Sequence, residues 1–237
     1  MTFGSLFAGI GGFDLGLERA GLICKWQVEI DPFCQRVLAK HWPNVRRHDD
    51  VRTFPPEGDW AVDVVCGGFP CQPVSVAGLG KVQQDDRWLW PEFARIIGVL
   101  RPRFAILENV PGLLVRGFSD VLGNLAALGY DAEWSILSSC RVVAPHPRQR
   151  MFLVAYPTGR LGQTGLRFRE RAAAHSVSTG NNITTEVLRM ESAYRNCRGP
   201  DGVSPRLDRR IRSAGNAVQP QLAEWIGRLL IENAREE

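Results

Sequence analysis

The first 155 residues alternate short runs of β-branched and aromatic residues with longer amphipathic stretches. Parallel strands need a crossover of a dozen or more residues, usually a helix, so this alternation predicts an α/β fold with a doubly wound, mostly parallel sheet. The predicted strands are Thr2 to Leu6, Leu22 to Glu29, Ala61 to Cys66, Phe104 to Glu108, Tyr130 to Leu137 and Met151 to Ala155. The predicted helices are Phe13 to Ala20, Pro32 to His41, Trp88 to Leu100 and Phe118 to Leu128.

The composition changes after Tyr156, where Gly, Ser, Thr, Asn and Arg replace the regularly spaced apolar residues. We therefore expect a main domain over 1–156, a small irregular segment over 157–202 and a C-terminal segment over 203–237. Within the last segment, Gln221 to Asn233 carry apolar residues at helical spacing. That spacing predicts a helix that packs back on the main domain.

Positive charge is concentrated in the irregular segment and just beyond it. The stretch from Tyr156 to Arg212 holds eleven arginines and five acidic residues, whereas the whole chain has a formal net charge of +4. A basic segment of this kind suits the phosphate backbone of a nucleic acid, because each neutralised phosphate releases counterions. A solvated basic loop is the alternative interpretation.

Composition excludes several classes of protein. With 44% hydrophobic residues in 237, the chain can bury a substantial core, and none of its apolar runs approaches the roughly 20 residues that span a bilayer. The N-terminal residues lack the features of a signal peptide, and the six cysteines form no paired CxxC clusters. We expect a cytoplasmic protein with reduced thiols, no bound metal and no membrane partner.

A glycine-rich segment, Phe7 to Phe13, follows the first predicted strand and opens the first predicted helix. Glycines there permit close backbone approach, and the helix terminus offers unpaired amide donors, so the segment could cradle a cofactor. A simple tight turn is the alternative. Glu29 ends the next strand, about 20 residues on, where a carboxylate can accept hydrogen bonds from ribose hydroxyls. Because no Gly-Lys-Ser/Thr sequence follows the glycines, S-adenosylmethionine fits better than a nucleotide.

Cys71 lies in a loop, Gly67 to Pro73, that directly follows an apolar strand. Ligands bind at the carboxyl edge of open α/β sheets, and the prolines and glycines around the thiol favour a loop with one fixed geometry. The thiol could therefore act as a nucleophile, if its pKa is lowered or the substrate assists. A small buried cysteine is the alternative.

The next strand delivers Glu108 to the same edge, where a carboxyl group could act as a general acid toward a ring nitrogen. A structural role as a helix cap is the alternative for this residue. Arg148 and Arg150 precede the last predicted strand of the main domain. Alternation along a strand would direct both toward one side, where they suit an exocyclic oxygen or a phosphate.

From Thr2 to about Ile231, these motifs resemble, in order, those of the DNA (cytosine-5)-methyltransferases of the small bacterial or phage type. The glycine-rich segment is similar to the family's first cofactor motif, Asp50-Val51 to the pair beside the adenine, and Gly67 to Gln72 to the nucleophile loop. Four later segments are similar to the family's later motifs: Asp86-Arg87 with Leu89, Glu108-Asn109-Val110, Arg148-Gln149-Arg150, and the segment from Gly215 to Pro220.

The resemblance implies a role for each matched position. Cofactor contacts are expected from Phe7, Ala8, Gly9, Ile10, Gly11, Gly12, Phe13, Glu29, Ile30, Asp50, Val51, Gly68, Pro70, Leu89, Asn216, Ala217 and Val218. Catalytic roles are expected for Cys71, Glu108, Arg148 and Arg150. Contacts with DNA are expected from Gln72, Ser75, Arg167, Arg169 and Arg189. In this scheme 1–156 is the catalytic, cofactor-binding domain and 157–202 is a target-recognition segment.

The resemblance also implies a mechanism. The Cys71 thiolate adds to C6 of cytosine, Glu108 holds or protonates N3, and C5 takes the methyl group from S-adenosylmethionine, leaving S-adenosylhomocysteine. A base then removes the C5 proton and Cys71 leaves. The target base has to be flipped out of the duplex, because this chemistry cannot occur inside a base stack. Arg150 is expected on the cytosine O2, and Arg148 on Glu108 or the backbone.

Two departures from the family's pattern leave alternatives open. His146 stands where the family commonly has Gln, and the recognition segment holds only about 45 residues. The rivals are methylation of cytosine in transfer RNA and an inactive relative that only binds DNA. Double-stranded DNA is the expected substrate, a cognate restriction endonuclease is a candidate partner, and a monomer is expected because no long apolar surface stripe is evident.

Overall fold

A computed structural model describes residues 1–70, 88–138, 149–161, 165–178 and 217–235. Seven strands form one sheet in the order β3-β2-β1-β4-β5-β7-β6. Their bounds are β1 Thr2–Leu6, β2 Ile23–Val28, β3 Arg46–His48, β4 Val64–Gly67, β5 Phe104–Asn109, β6 Tyr130–Ser138 and β7 Gln149–Pro157. The pairings from β3 to β5 are parallel, whereas β7 runs antiparallel to both β5 and β6. The prediction of a mostly parallel α/β sheet is confirmed.

Helices cover both faces of the sheet, as a doubly wound fold requires. They are α1 Gly12–Arg19, α2 Pro32–His41, α3 Trp90–Leu100, α4 Phe118–Ala127, α5 Phe168–Ser178 and α6 Pro220–Arg235. Helices α3 and α4 bury their apolar side chains in one core cluster, and α1, α5 and α6 bury theirs in a second cluster on the opposite face. The core therefore has two layers separated by the sheet.

Local sequence explains where α2 begins. The Asp31 carboxylate accepts hydrogen bonds from the backbone N–H groups of Phe33 and Cys34, and Pro32 occupies the first turn. A side-chain acceptor at this position satisfies amides that the helix itself leaves unpaired, and the fixed φ of proline suits the first turn. Helix α2 has the bounds that the sequence predicts.

Close packing between α1 and α6 depends on glycine. A Cβ atom at Gly16 would lie 2.2 Å from the carbonyl oxygen of Pro220, and one at Gly12 would lie 2.2 Å from that of Val218. Only residues without a side chain allow the two backbones to come this close. Helix α6 therefore packs directly on α1, and the residue Val218 just before it lies against the glycine-rich segment.

The structure differs from the predicted elements in two places. Strand β3 is only three residues long, and helix α5 carries alanine and arginine in place of a regular apolar stripe, so periodicity indicated neither. Leu166, Phe168 and Ala172 are nonetheless buried in the core cluster shared with α6. The first part of the predicted recognition segment thus packs on the main domain. The division at residues 156 and 202 stays a prediction.

A charged anchor holds the start of α5 in place. The Glu133 carboxylate on β6 accepts hydrogen bonds from the backbone N–H groups of Leu166 and Phe168 and from the hydroxyl of Tyr156. An acceptor at this point compensates the unpaired amides of the helix N-terminus.

Among the described helices, none is both long enough and apolar enough to cross a bilayer.

We predict that Phe168→Ala lowers the free energy of unfolding by about 3–5 kcal/mol, because the ring is fully buried and its removal leaves a cavity. Arg169→Ala is the matched control: its side chain is exposed on the same helix, and its effect should stay within about 0.5 kcal/mol. Urea unfolding followed by tryptophan fluorescence measures both. Equal effects for the two variants would mean that this segment is not part of the cooperative core.

Candidate active site

Sheet order brings the predicted motifs to one edge. Strands β1, β4 and β5 are neighbours in parallel pairing, so the glycine-rich segment, the loop after β4 and Glu108 all follow carboxyl ends that lie side by side. Strand β7 runs in the opposite direction and therefore begins at this edge, where it delivers Arg150. After β1 the chain continues to β2 and β3 on one side of the sheet, and after β4 it continues to β5 on the other. The direction of the strand order therefore reverses between β1 and β4, which makes this a topological switch point.

An acidic cavity of about 340 Å³ opens beside β1 and β2. Its lining comprises Phe7, Val28, Glu29, Ile30, Asp49, Asp50, Val51, Arg52, Pro70 and Leu89. The volume is in the range of small-molecule sites. Three carboxyl groups at the cavity disfavour a phosphate, whereas apolar walls beside carboxylates suit a nucleoside that carries positive charge.

Two backbone amides hold the Glu29 carboxylate at this cavity. Its two oxygens accept hydrogen bonds from the backbone N–H groups of Gly9, at 2.7 Å, and of Asp31, at 2.8 Å. Burial raises the pKa of this carboxyl group, and the hydrogen bonds from Asp31 and Gly9 partly offset that increase. Carboxylate oxygens have about four acceptor sites in all, so an oriented Glu29 can still receive the hydroxyls of a ribose.

The glycine-rich segment turns sharply above this carboxylate. Gly9 and Gly11 have φ values of 58° and 89°, a region that favours glycine, and Gly11 precedes the first residue of α1 without any side-chain cap. Below the turn, the carboxyl group of Asp14 is fully buried and accepts hydrogen bonds from Ser5, Cys24 and Gln27. This network joins α1 to β1 and β2. Burial raises the pKa of Asp14 to about 6.

A second group of residues lies at the ends of β4 and β5. The Nε atom of Arg150 lies 2.8 Å from Oε1 of Glu108, and both side chains are mostly buried. A Cβ atom at Gly68 would lie 2.9 Å from Oε2 of the same glutamate, so only glycine fits beside it without displacing the carboxylate. The ion pair holds Glu108 in one orientation. Arg150 thus supports Glu108, a contact that the sequence analysis did not assign to it; the expected contacts of Arg150 with the cytosine O2 and of Arg148 with Glu108 or the backbone stay predictions.

Asn109 connects this pair to the loop after β4. Its side-chain amide donates a hydrogen bond to the carbonyl of Phe69 at 3.2 Å, and its side-chain oxygen accepts one from the backbone N–H of Val110. The Phe69 ring is buried and packs against Trp88 and Trp90. The approach to Cys71 is therefore fixed up to Pro70. Sequence reasoning treated Asn109 only as part of a motif and did not assign it this role.

The cavity collects seven of the predicted cofactor residues: Phe7, Glu29, Ile30, Asp50, Val51, Pro70 and Leu89. Val28, Asp49 and Arg52 also line it and were missed, although Asp49 adjoins a predicted position and shares its acidic character. Phe13 is buried in the core against Phe152, away from the cavity. Gly68 lies beside Glu108, and Val218 packs on Gly12. Ala217 is half-buried just before Val218.

Several predicted positions lie outside the described residues. These are Cys71, Gln72, Ser75, Asp86, Arg87, His146, Arg148, Arg189, Gly215 and Asn216. Arg167 and Arg169 are exposed at the start of α5, and Arg167 has a φ of 51°, a conformation that non-glycine residues adopt rarely. Their predicted contact with DNA stays a prediction. Among the described residues, no group of His, Cys, Asp and Glu side chains could hold a metal ion.

Comparison with known proteins connects this site to one family. The family model for C-5 cytosine-specific DNA methylase matches residues 1–192. The type II methyltransferase M.HgiCII of Herpetosiphon aurantiacus is 37% identical over 160 residues, which cover 64% of this chain and 36% of the relative. The type II methyltransferase M.NgoMIV of Neisseria gonorrhoeae is 37% identical over 162 residues, 65% of this chain and 52% of the relative.

A solved structure shows the same fold. An E. coli prophage protein described as a DNA modification methyltransferase superposes with a TM-score of 0.58 at 28% sequence identity, covering 67% of this chain and 47% of that protein. The chain thus spans between 36% and 52% of the length of the proteins compared here.

We predict that Asp14→Asn changes how stability depends on pH. Because the folded state raises the pKa of Asp14 from 3.8 to about 6, the native protein binds the proton more tightly, and ionisation across that interval destabilises it. The asparagine amide preserves an acceptor for Gln27 and adds a donor for Ser5 but does not ionise. The variant's stability relative to the wild type should therefore rise by roughly 3 kcal/mol between pH 4 and pH 7. Urea unfolding at several pH values measures this difference, and a pH-independent one would contradict it.

Proposed function

The chain belongs to the C-5 cytosine-specific DNA methylase family, and we propose that it transfers a methyl group from S-adenosylmethionine to C5 of cytosine in double-stranded DNA. The observation that carries the proposal is the position of the Glu108–Arg150 ion pair. It lies at the same sheet edge as the acidic cavity, and the loop that leads to Cys71 follows the strand between them. A base in contact with Glu108 would thus lie at the same sheet edge as the cavity and the start of the loop that leads to Cys71.

The cavity suits S-adenosylmethionine by its chemistry. Glu29 would accept the ribose hydroxyls, and Phe7, Ile30 and Val51 supply apolar surface for the adenine. Ile30 is 61% exposed and lines the cavity, so a bound adenine would cover part of its side chain. When bound, the sulfonium group of this cofactor supplies an electrophilic methyl group. The acidic lining complements its positive charge.

Residues of the chain would carry out the remaining steps of the reaction. The Cys71 sulfur would attack C6 of the cytosine, forming an S–C6 bond while the C5–C6 double bond opens toward C5. A proton shared between the Glu108 carboxyl group and N3 would offset the negative charge that develops on the ring when the sulfur adds. Methyl transfer to C5, loss of the C5 proton to a base and departure of Cys71 then restore the double bond.

Arg150 would act first through Glu108. Its guanidinium has five N–H donors: Nε lies 2.8 Å from Oε1 of Glu108, and Nη1 donates to the carbonyl of Gln149. Another of these donors could bind the cytosine O2, as the resemblance implies, while Nε keeps the carboxylate in place. Lysine would be a poorer substitute, because its single nitrogen on a flexible chain lacks the fixed fork geometry of the guanidinium.

The partner chemistry follows from the same assignment. The base has to leave the duplex to reach a thiol at the sheet edge, at a cost of a few kcal/mol that protein contacts must offset. We propose that the basic stretch containing Arg167 and Arg169 supplies part of that contact through phosphates. A cognate restriction endonuclease and a monomeric state stay predictions, and size-exclusion chromatography with light scattering tests the second.

We predict that the wild type forms a covalent complex with DNA containing 5-fluorocytosine in the presence of tritiated S-adenosylmethionine. The fluorine at C5 cannot leave as a proton does, so the Cys71–C6 bond should persist through denaturing electrophoresis. Cys71→Ser should give no labelled complex. Cys34→Ser, which alters a buried thiol of α2, is the control and should keep the complex.

Other outcomes would redirect the proposal. A complex on transfer RNA containing 5-fluorocytosine and none on DNA would move the activity to the other polymer. The absence of a complex on either, with S-adenosylmethionine still bound, would identify an inactive DNA-binding relative.

We predict that Glu29→Gln weakens binding of S-adenosylhomocysteine by roughly tenfold, since a charged acceptor for the ribose is replaced by a neutral amide. Because the pKa of Glu29 is raised, wild-type affinity should also fall as the pH drops through that pKa, and the variant should lack this dependence. Isothermal titration calorimetry at several pH values measures both. Glu57→Gln, an exposed carboxyl group outside the cavity lining, should leave the affinity unchanged. An unaltered affinity in Glu29→Gln would remove Glu29 from the cofactor site.

A further inference from the structure

We propose that Arg95 is a positioning residue that holds one wall of the cofactor cavity in its binding conformation. The inference rests on the proposed function, because it concerns the same cavity. Arg95 itself does not line the cavity. It lies on α3 and acts through the backbone of the segment that follows β3.

The wall consists of residues 49–52, and its conformation depends on contacts with other parts of the chain. Residues 49–52 supply four of the ten lining positions, yet they belong to no strand or helix. Their internal backbone hydrogen bonds are few: Thr53 donates to the carbonyl of Asp50 at 3.1 Å, and Phe54 donates to that of Val51 at 3.4 Å. The second distance is long for an N–H···O hydrogen bond. The sheet therefore does not determine the conformation of this wall.

The Arg95 guanidinium contacts one carbonyl of the wall, that of Val51, and one just beyond it, that of Phe54. Its Nη2 atom donates to the carbonyl of Val51 at 3.0 Å and to that of Phe54 at 3.2 Å, and Nη1 donates to Phe54 at 3.2 Å. On the other side, Nε donates to the Glu92 carboxylate at 2.8 Å. Glu92 lies one turn earlier on α3, so its carboxylate orients the plane of the Arg95 guanidinium independently of the contacts with the wall.

The geometry requires arginine. A planar fork with five donors can bridge two carbonyls and a carboxylate at once, whereas the single ammonium of lysine can satisfy only part of this set. The Phe54 side chain is buried against Trp26 and Trp60, which anchors the far end of the segment in the core. Arg95 supplies the anchor at Val51, which is itself one of the residues expected to contact the adenine.

Helix α3 also contacts the cavity directly. Leu89, the residue before its first turn, also lines the cavity. A ligand in the cavity would thus touch α3 through Leu89 and through the segment that Arg95 ties to the same helix. Loss of the Arg95 contacts should weaken the binding of the cofactor without altering the groups that react with the base.

We predict that Arg95→Lys raises the Kd for S-adenosylhomocysteine and the KM for S-adenosylmethionine roughly tenfold and leaves kcat within about twofold. Arg101→Lys is the matched control. Arg101 ends the same helix and also loses a guanidinium contact, with the carbonyl of Leu128 and the ring of Tyr130. Calorimetry, initial rates on DNA and thermal unfolding measure the three quantities for both variants. An unchanged Kd in Arg95→Lys, or an equal rise in Arg101→Lys, would overturn the proposal.

A second measurement separates this proposal from the proposed function. The wall contains Arg52, half of whose side chain is exposed, so trypsin cleavage after it reports local opening without any ligand. Cleavage there should be several-fold faster in Arg95→Lys than in the wild type or Arg101→Lys. Faster cleavage in a protein that does not bind S-adenosylhomocysteine would support the role of Arg95 and reject the cofactor. Unchanged cleavage would reject the role of Arg95 itself.

Discussion

The parallel pairing of β1 with β4 is the constraint on which the site depends. Residues of the first strand pair directly with those of the fourth, from Phe3 with Val64 to Leu6 with Gly67. Because these strands run in the same direction and their connections leave on opposite sides, a crevice opens at their carboxyl ends. The glycine-rich segment borders one side of this crevice and the loop toward Cys71 borders the other. The residues proposed to bind the cofactor and the substrate are brought to one edge by this pairing.

Charge is distributed unequally across that crevice. Carboxyl groups line the cavity on the β2 side, and Glu29 is held between two backbone amides. On the β5 side, Glu108 is opposed by the guanidinium of Arg150. A buried carboxylate with a fixed cation keeps its orientation, whereas carboxylates around an open cavity attract a cationic ligand. The two halves of the edge are therefore suited to two different chemical partners.

Several residues shape the site although they do not line the cavity. Asn109 orients the backbone before Cys71, Arg95 ties the segment around Val51 to α3, and Gly12 lets Val218 approach the glycine-rich segment. None of these contacts needs to touch a reacting atom. They reduce the number of conformations available to the loops that do, which is how a site built on loops acquires a defined geometry.

The sequence by itself determined the class of fold and the approximate position of most elements, because hydrophobic periodicity and glycine placement are local properties. Helix α2 has its predicted bounds, since its proline and aspartate act within the first turn. Local pattern could not reveal β3 or α5, whose stability comes from partners distant in sequence, nor the reversed direction of β7. The pairing of Arg150 with Glu108, the burial of Phe13 away from the cavity and the reach of Arg95 were decided only by the tertiary structure. Each depends on which strands and helices become neighbours, and that choice is made by the packing of the whole core.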